Sequence, residues 1–214
     1  MKKVTAKHIV FDCDGVLIDS EILANRLEVE IKAELGFPIT LEEQLHKFVG
    51  MGHSHPDLQS ELKRLPAHYW RLVDERVRPI YHKELKAIPG TVEFLDRLHL
   101  PKCVASSSGP DWLDLKLSLT DLKKYFGGAI FHGELVTRSK PEPDLFLFAL
   151  KELDWRAEDC LVIEDSVHGV GAGRAAGMTV CGFLGGSHVI PGHAERLLHA
   201  GADFLISDLR ELAL

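Results

Sequence analysis

Two carboxylates two residues apart, Asp12 and Asp14, follow the apolar run Ile9-Val10-Phe11, and Gly15 comes next. On an extended stretch, residues i and i+2 point the same way. Gly15 then permits a tight turn with exposed backbone amides. Such a pair suits Mg²⁺, a hard cation that prefers oxygen ligands, and a carboxylate can also act as a nucleophile and carry an aspartyl phosphate. Three further segments have compatible chemistry. Ser106-Ser107-Ser108-Gly109 follows Cys103-Val104-Ala105, and hydroxyls with free amides in a small-residue turn hold phosphate oxygens. In Lys140-Pro141-Glu142-Pro143 the prolines fix the backbone around Lys140, so its ammonium can be aimed as a point charge. Glu164-Asp165-Ser166 places a second acidic pair after Leu161-Val162-Ile163. Each feature alone is ordinary loop chemistry, but together, at successive strand ends, they point to one site.

The elements that must position these residues can be read from the apolar runs. His8–Phe11, Cys103–Ala105, Ala129–Phe131, Leu161–Ile163, Val180–Phe183 and Phe204–Ile206 are short and rich in Val, Ile and Phe, the pattern of buried parallel strands. Helical spacing alternates with them, as at Val92, Leu95 and Leu98, or Leu145, Phe148, Ala149 and Leu153. The expected fold is α/β, a doubly wound and mainly parallel sheet. Between Asp19 and Lys86 no strand pattern appears. Leu23, Leu27, Ile31 and Leu35 form one helical stripe and Val73, Val77, Ile80 and Tyr81 another, with Gly36 and Pro38 ending the first helix. The expected division is a core of residues 1–18 and 87–214 with an all-α helical insertion over 19–86. In open α/β sheets ligands bind beyond the carboxyl ends of the strands, where all four segments fall.

The segment Phe11-Asp12-Cys13-Asp14-Gly15-Val16-Leu17-Ile18-Asp19-Ser20 resembles the first motif of the haloacid dehalogenase superfamily. Ser106, Lys140 in Ser139-Lys140-Pro141-Glu142-Pro143-Asp144, and Glu164-Asp165 stand where its second, third and fourth motifs stand. The insertion resembles its helical cap, in the branch that includes phosphoglycolate phosphatase, sugar-phosphate phosphatases and β-phosphoglucomutase. The resemblance implies a magnesium-dependent phosphatase acting on a small phosphorylated metabolite, a sugar phosphate or related phosphomonoester. It implies Asp12 as nucleophile, forming an aspartyl phosphate, and Asp14 as general acid and base. Ser106, Ser107 and Lys140 would bind the phosphoryl group. Asp12, the backbone carbonyl of Asp14, Asp165 and Glu164 would hold Mg²⁺. Dehalogenases generally lack the second carboxylate, so Asp14 favours phosphoryl transfer. The segment Val49–His55 resembles the family's cap loop, which makes Gly50 and His53 candidate specificity residues.

Composition sets limits on the alternatives. The formal net charge of −7, with no long Lys/Arg block, argues against nucleic acid and anionic membrane as partners, and no apolar run reaches the ~18 residues of a membrane span. The start of the chain lacks a signal-peptide pattern, and Cys13, Cys103, Cys160 and Cys181 make no C-x-x-C pair, so buried reduced thiols and a cytoplasmic protein, a monomer or a dimer, are expected. Cys13 should point into the core. Gly169, Gly171 and Gly173 do not make a clean dinucleotide fingerprint and are read as close helix-on-sheet packing. His168, near the acidic pair, is read as a helix-surface residue. Two other functions compete. A phosphosugar mutase would need a cationic second-phosphate site in the cap, and Val49–His55 contains no arginine. A receiver-type phosphoacceptor would be shorter, capless and would place its acceptor after a later strand.

Overall fold

The computed structural model describes residues 2–49 and 56–213. Six parallel strands form the main sheet: β2 (His8–Phe11), β3 (Lys102–Ser106), β4 (Ile130–His132), β5 (Cys160–Glu164), β6 (Thr179–Phe183) and β7 (Phe204–Ile206), in the order β4-β3-β2-β5-β6-β7. The order reverses at β2, so helices cover both faces, as a doubly wound sheet requires. Alternation along β2 divides the core. Ile9 and Phe11 join one buried cluster, with Phe94 and Phe126 edge-on to Phe11, while Val10 joins another with Cys103, Val162 and Val180. All four cysteines are free and buried, and Cys13 lies in the first cluster. A separate pair, β1 (Lys2–Lys3) with β8 (Leu212–Ala213), has no counterpart in the sequence reading, because two-residue strands leave no periodicity.

Strand register brings the chemistry to one rim. Phe11 pairs with Val104 and with Ile163, so Asp12 leaves the sheet level with Glu164, and Ser106 ends the neighbouring strand. Asp12 N donates to Ile163 O at 3.0 Å, which ties the first residue beyond β2 to β5.

Among the described residues four helices fill the stretch between Asp19 and Lys86: α1 (Glu21–Glu34), α2 (Leu41–Phe48), α3 (Pro56–Leu62) and α4 (Tyr69–Glu84). α1 and α4 share a third cluster of Leu27, Ile31, Tyr69, Val73, Val77 and Tyr81, along the two stripes expected from spacing. Thr40 and Glu43 make a reciprocal capping box at the start of α2. The chain enters and leaves this region side by side: Ile18 bridges Ala87, and Asp19 N donates to Lys86 O at 3.0 Å. On one face of the sheet α5 (Thr91–Arg97) and α6 (Pro110–Leu119) pack with Ile9 and Phe11, and on the other α7 (Asp144–Leu153), α8 (Val167–Ala175) and α9 (His193–Ala200) pack with Val10. On α8 a Cβ at Gly173 would stand 2.7 Å from Val162 Cγ1, so this glycine does allow close helix-on-sheet packing. No helix among the described residues is long and apolar enough to cross a membrane.

Candidate active site

The rim brings together Asp12, Asp14, Ser106, Lys140, Glu164 and Asp165, all beside a cleft of about 190 Å³ or directly against its lining. Lys140 is 2% exposed; its Nζ donates to Asp12 Oδ1 at 2.8 Å, to Ala105 O at 3.0 Å and to Glu164 Oε1. Burial opposes the lysine's charge, but Asp12 and Glu164 outweigh it and hold Lys140 above the usual ammonium range. Burial also pushes Asp12 well up, against Lys140 and with the help of Glu164 and Asp165, and it raises Glu164. These shifts describe carboxylates too crowded to hold their charge with one lysine as sole cation.

Asp12, Glu164 and Asp165 are all buried, and each offers an oxygen within 4.8 Å of the others'. Asp165 Oδ2 lies 2.9 Å from His188 Nε2, close enough for an ion pair but without hydrogen-bond alignment, so among the described residues this buried oxygen has no hydrogen-bond partner. The donors are all carboxylate oxygens, and this crowded set fits a hard divalent cation. Two glycines make room for it. Gly15, at φ +75°, would carry a Cβ 1.9 Å from Asp165 Oδ2, and Gly169 one 1.9 Å from Glu164 Cδ.

Asp14 occupies a second nest. Its carboxylate accepts from Ser106 Oγ (3.2 Å), Ser108 Oγ (2.8 Å), Ser20 Oγ and Lys116 Nζ. Ser20 stands at the N-cap of α1 yet gives its hydroxyl to Asp14, not to the helix. Burial raises Asp14, but the charge of Lys116 and the donated hydrogen bonds outweigh it and hold the carboxyl below the usual range. Ser107 lines the same cleft.

Several of these residues escaped the sequence reading. Lys116 falls between Leu113 and Leu117 on the buried face of α6, and a lysine on an apolar stripe was the signal that could have found it. His188 and His193 follow β6, a strand end that no motif marks in the sequence. His193 Nε2 is 2.6 Å from Asp165 O, and Arg196 reaches both His193 Nδ1 (3.0 Å) and His46 Nδ1 of α2 (2.6 Å). A guanidinium only donates, so His193 accepts at Nδ1 and donates its Nε2–H to the Asp165 carbonyl. His168 is half-buried on α8. Gly50 and His53 lie outside the described residues.

Comparison with known proteins fits this geometry. Residues 6–177 match the family model for haloacid dehalogenase-like hydrolases, and the chain belongs to that family. A curated relative, 6-phosphogluconate phosphatase of Escherichia coli, is 31% identical over 190 residues, covering 86% of this chain and 85% of its own. Among solved structures, a conserved haloacid dehalogenase-like protein of unknown function from Agrobacterium tumefaciens superposes with a TM-score of 0.85 at 39% identity, covering 96% and 95% of the two chains. A HAD family hydrolase from Deinococcus radiodurans, solved with bound phosphate and sodium, superposes at 0.78 with 32% identity, covering 97% and 93%.

Proposed function

We propose that the protein is a magnesium-dependent phosphatase of small phosphorylated metabolites, working through an aspartyl phosphate on Asp12. The observation that carries this reading is the convergence of Asp12, Asp14, Ser106, Lys140, Glu164 and Asp165 at one rim beside one cleft. Lys140 holds Asp12 Oδ1, so Oδ2 is the attacking oxygen. It forms a bond to phosphorus as the bond to the leaving oxygen breaks, and Asp14, having taken a proton from the incoming phosphomonoester monoanion, passes it to that oxygen. Asp14 then takes a proton from water, whose oxygen attacks phosphorus and releases inorganic phosphate and the Asp12 carboxylate. Ser106, Ser107 and Lys140 bind the equatorial oxygens. Asp12, the backbone carbonyl of Asp14, Asp165 and Glu164 would hold magnesium, which would supply positive charge against the phosphoryl dianion.

In this reading residues 19–86 are a cap on a core formed by 1–18 and 87–214, and the side-by-side crossing at Ile18 and Ala87 is its hinge. Hydrolysis of p-nitrophenyl phosphate tests the proposal. It should require Mg²⁺, cease with EDTA and be lost in Asp12→Asn. Full activity of that variant would overturn the nucleophile assignment.

A further inference from the structure

The cleft extends outward from the reacting group between α1, α4 and α6, and its two ends differ in charge. At the inner end stand two lysines, and both are engaged: Lys140 with Asp12 and Glu164, Lys116 with Asp14 and, at 2.7 Å, Ser108 Oγ. The outer wall is of another kind. Glu21, Asn25 and Glu28 sit at i, i+4 and i+7 on α1, one stripe facing the cleft. Across from them are Trp70 and Tyr81 of α4 and Trp112 of α6. Among the described residues, no cation other than Lys116 and Lys140 lines the cleft.

The polar stripe is built and held. Asn25 is 4% exposed and donates to Glu21 O at 2.8 Å and Glu21 Oε2 at 3.0 Å. Gln44 donates to Asn25 Oδ1 and to Glu28 Oε2, each at 3.1 Å, and Tyr69 donates to Glu28 Oε2 at 2.8 Å. Lys32 is kept from the cleft by its bond to Gln44 Oε1 at 2.8 Å. Opposite, Tyr81 is only 7% exposed and its ring meets Trp112 edge-on at 5.9 Å. Tyr81 lines the cleft, so its hydroxyl can meet a hydroxyl of a ligand there.

Carboxyl and carboxamide oxygens on one wall and aromatic rings on the other match the hydroxyl edges and C–H faces of a carbohydrate chain. A second anion would meet the acidic side chains of Glu21, Glu28 and Asp74, and among the described residues both cations of the lining, Lys116 and Lys140, are already engaged. Whether carboxyl or carboxylate, Glu21 offers a hydroxyl an acceptor and brings no positive charge.

We propose that the cleft selects an uncharged, polyhydroxylated leaving group, that of an aldose or alditol monophosphate, with Glu21, Asn25 and Tyr81 as specificity-determining residues, and that it rejects phosphomonoesters carrying a second anion. The proposal rests on the phosphatase reading above and deepens it. It also separates this chain from the 6-phosphogluconate phosphatase of Escherichia coli, one of its curated relatives, whose named substrate carries a carboxylate on the leaving group.

Sorbitol 6-phosphate and 6-phosphogluconate are a matched pair of probes, differing only in a terminal CH₂OH against a carboxylate. The expected result is a kcat/KM about 100-fold higher for sorbitol 6-phosphate. Glu21→Gln keeps an acceptor but removes the ionisable carboxyl, and should shrink that ratio about tenfold. Tyr81→Phe removes a single hydroxyl, and should lower the ratio of sorbitol 6-phosphate to p-nitrophenyl phosphate about tenfold. The proposal is overturned if 6-phosphogluconate, fructose 1,6-bisphosphate or uridine 5′-monophosphate is the better substrate, or if both variants slow every substrate alike. No hydrolysis of p-nitrophenyl phosphate would instead overturn the phosphatase reading itself. That failure is distinct from one in which this ester is cleaved but the ratio is reversed.

Discussion

Replacing Lys116 with Met leaves the volume nearly unchanged and removes one charge from the Asp14 nest. The Lys116 and Asp14 side chains are 5% and 12% exposed, so the pair is buried. Breaking a buried pair on one side costs ~3–5 kcal/mol, because the remaining ion is left uncompensated. Here Ser20, Ser106 and Ser108 still donate to Asp14, so a loss of about 2–3 kcal/mol at neutral pH is expected. The sign of the pH dependence follows from Asp14. Its folded carboxyl lies below the usual range, so its contribution is present above the unfolded value of about 3.9 and is lost as pH falls through the lower folded value. Without Lys116 burial dominates and the carboxyl rises above 3.9, so the stability gap between protein and variant should be widest at neutral pH and close on acidification. Urea midpoints at neutral pH and at about pH 4.5 measure it. Catalysis should shift in parallel. p-Nitrophenolate leaves without a proton, so with that ester the base step limits, and the acid limb of kcat against pH should move upward. An unchanged pH profile, together with an equal gap at both pH values, would show that Lys116 only fills space.

The glycines of α8 give a paired prediction. Gly169→Ala would drive a Cβ into Glu164 and should weaken Mg²⁺ binding beyond detection by calorimetry, while Gly171→Ala, whose Cβ meets Pro141 at an ordinary 3.6 Å, should stabilise the protein by about 0.5–1 kcal/mol in urea. The contacts behind Asp165 give another. Burial holds His193 below its ordinary pKa, so at neutral pH it is uncharged and orients the Asp165 carbonyl. His193→Ala should weaken Mg²⁺ binding about 10–100-fold. Arg196→Met should also speed hydrogen exchange in α2, since it releases His46; unchanged exchange there would show that the contact does not hold the helix.

The fold was legible because the four central strands of the main sheet are short runs, mainly of Val, Ile, Leu, Phe, Ala or Cys, buried on both faces, which leaves little room for another reading. The helical stripes at Leu27 and Ile31, and at Val73 and Val77, were visible for the same reason: burial on one side imprints a period. The site was legible where a motif coincides with a strand end, as at Asp12, Ser106 and Glu164. It was not legible where the functional side chain comes from the middle of a helix or from a long connection. Lys116 reaches Asp14 across 102 positions, and His188 reaches Asp165 from a loop whose local pattern is only Gly-Gly-Ser-His. Pairings of that kind are set by tertiary register. The polar stripe Glu21, Asn25 and Glu28 was hidden in another way, since its spacing is that of an exposed helix face until α4 and Gln44 cover it.

The central claim is that Asp12 carries the phosphoryl group. Acid-quenched single turnovers with ³²P-labelled p-nitrophenyl phosphate, followed by peptide mapping, test it directly. The account predicts transient label on the peptide containing residues 8–19, lost at alkaline pH as an acyl phosphate should be and absent from Asp12→Asn. Label on a serine, or turnover with no labelled peptide at any time, would contradict it.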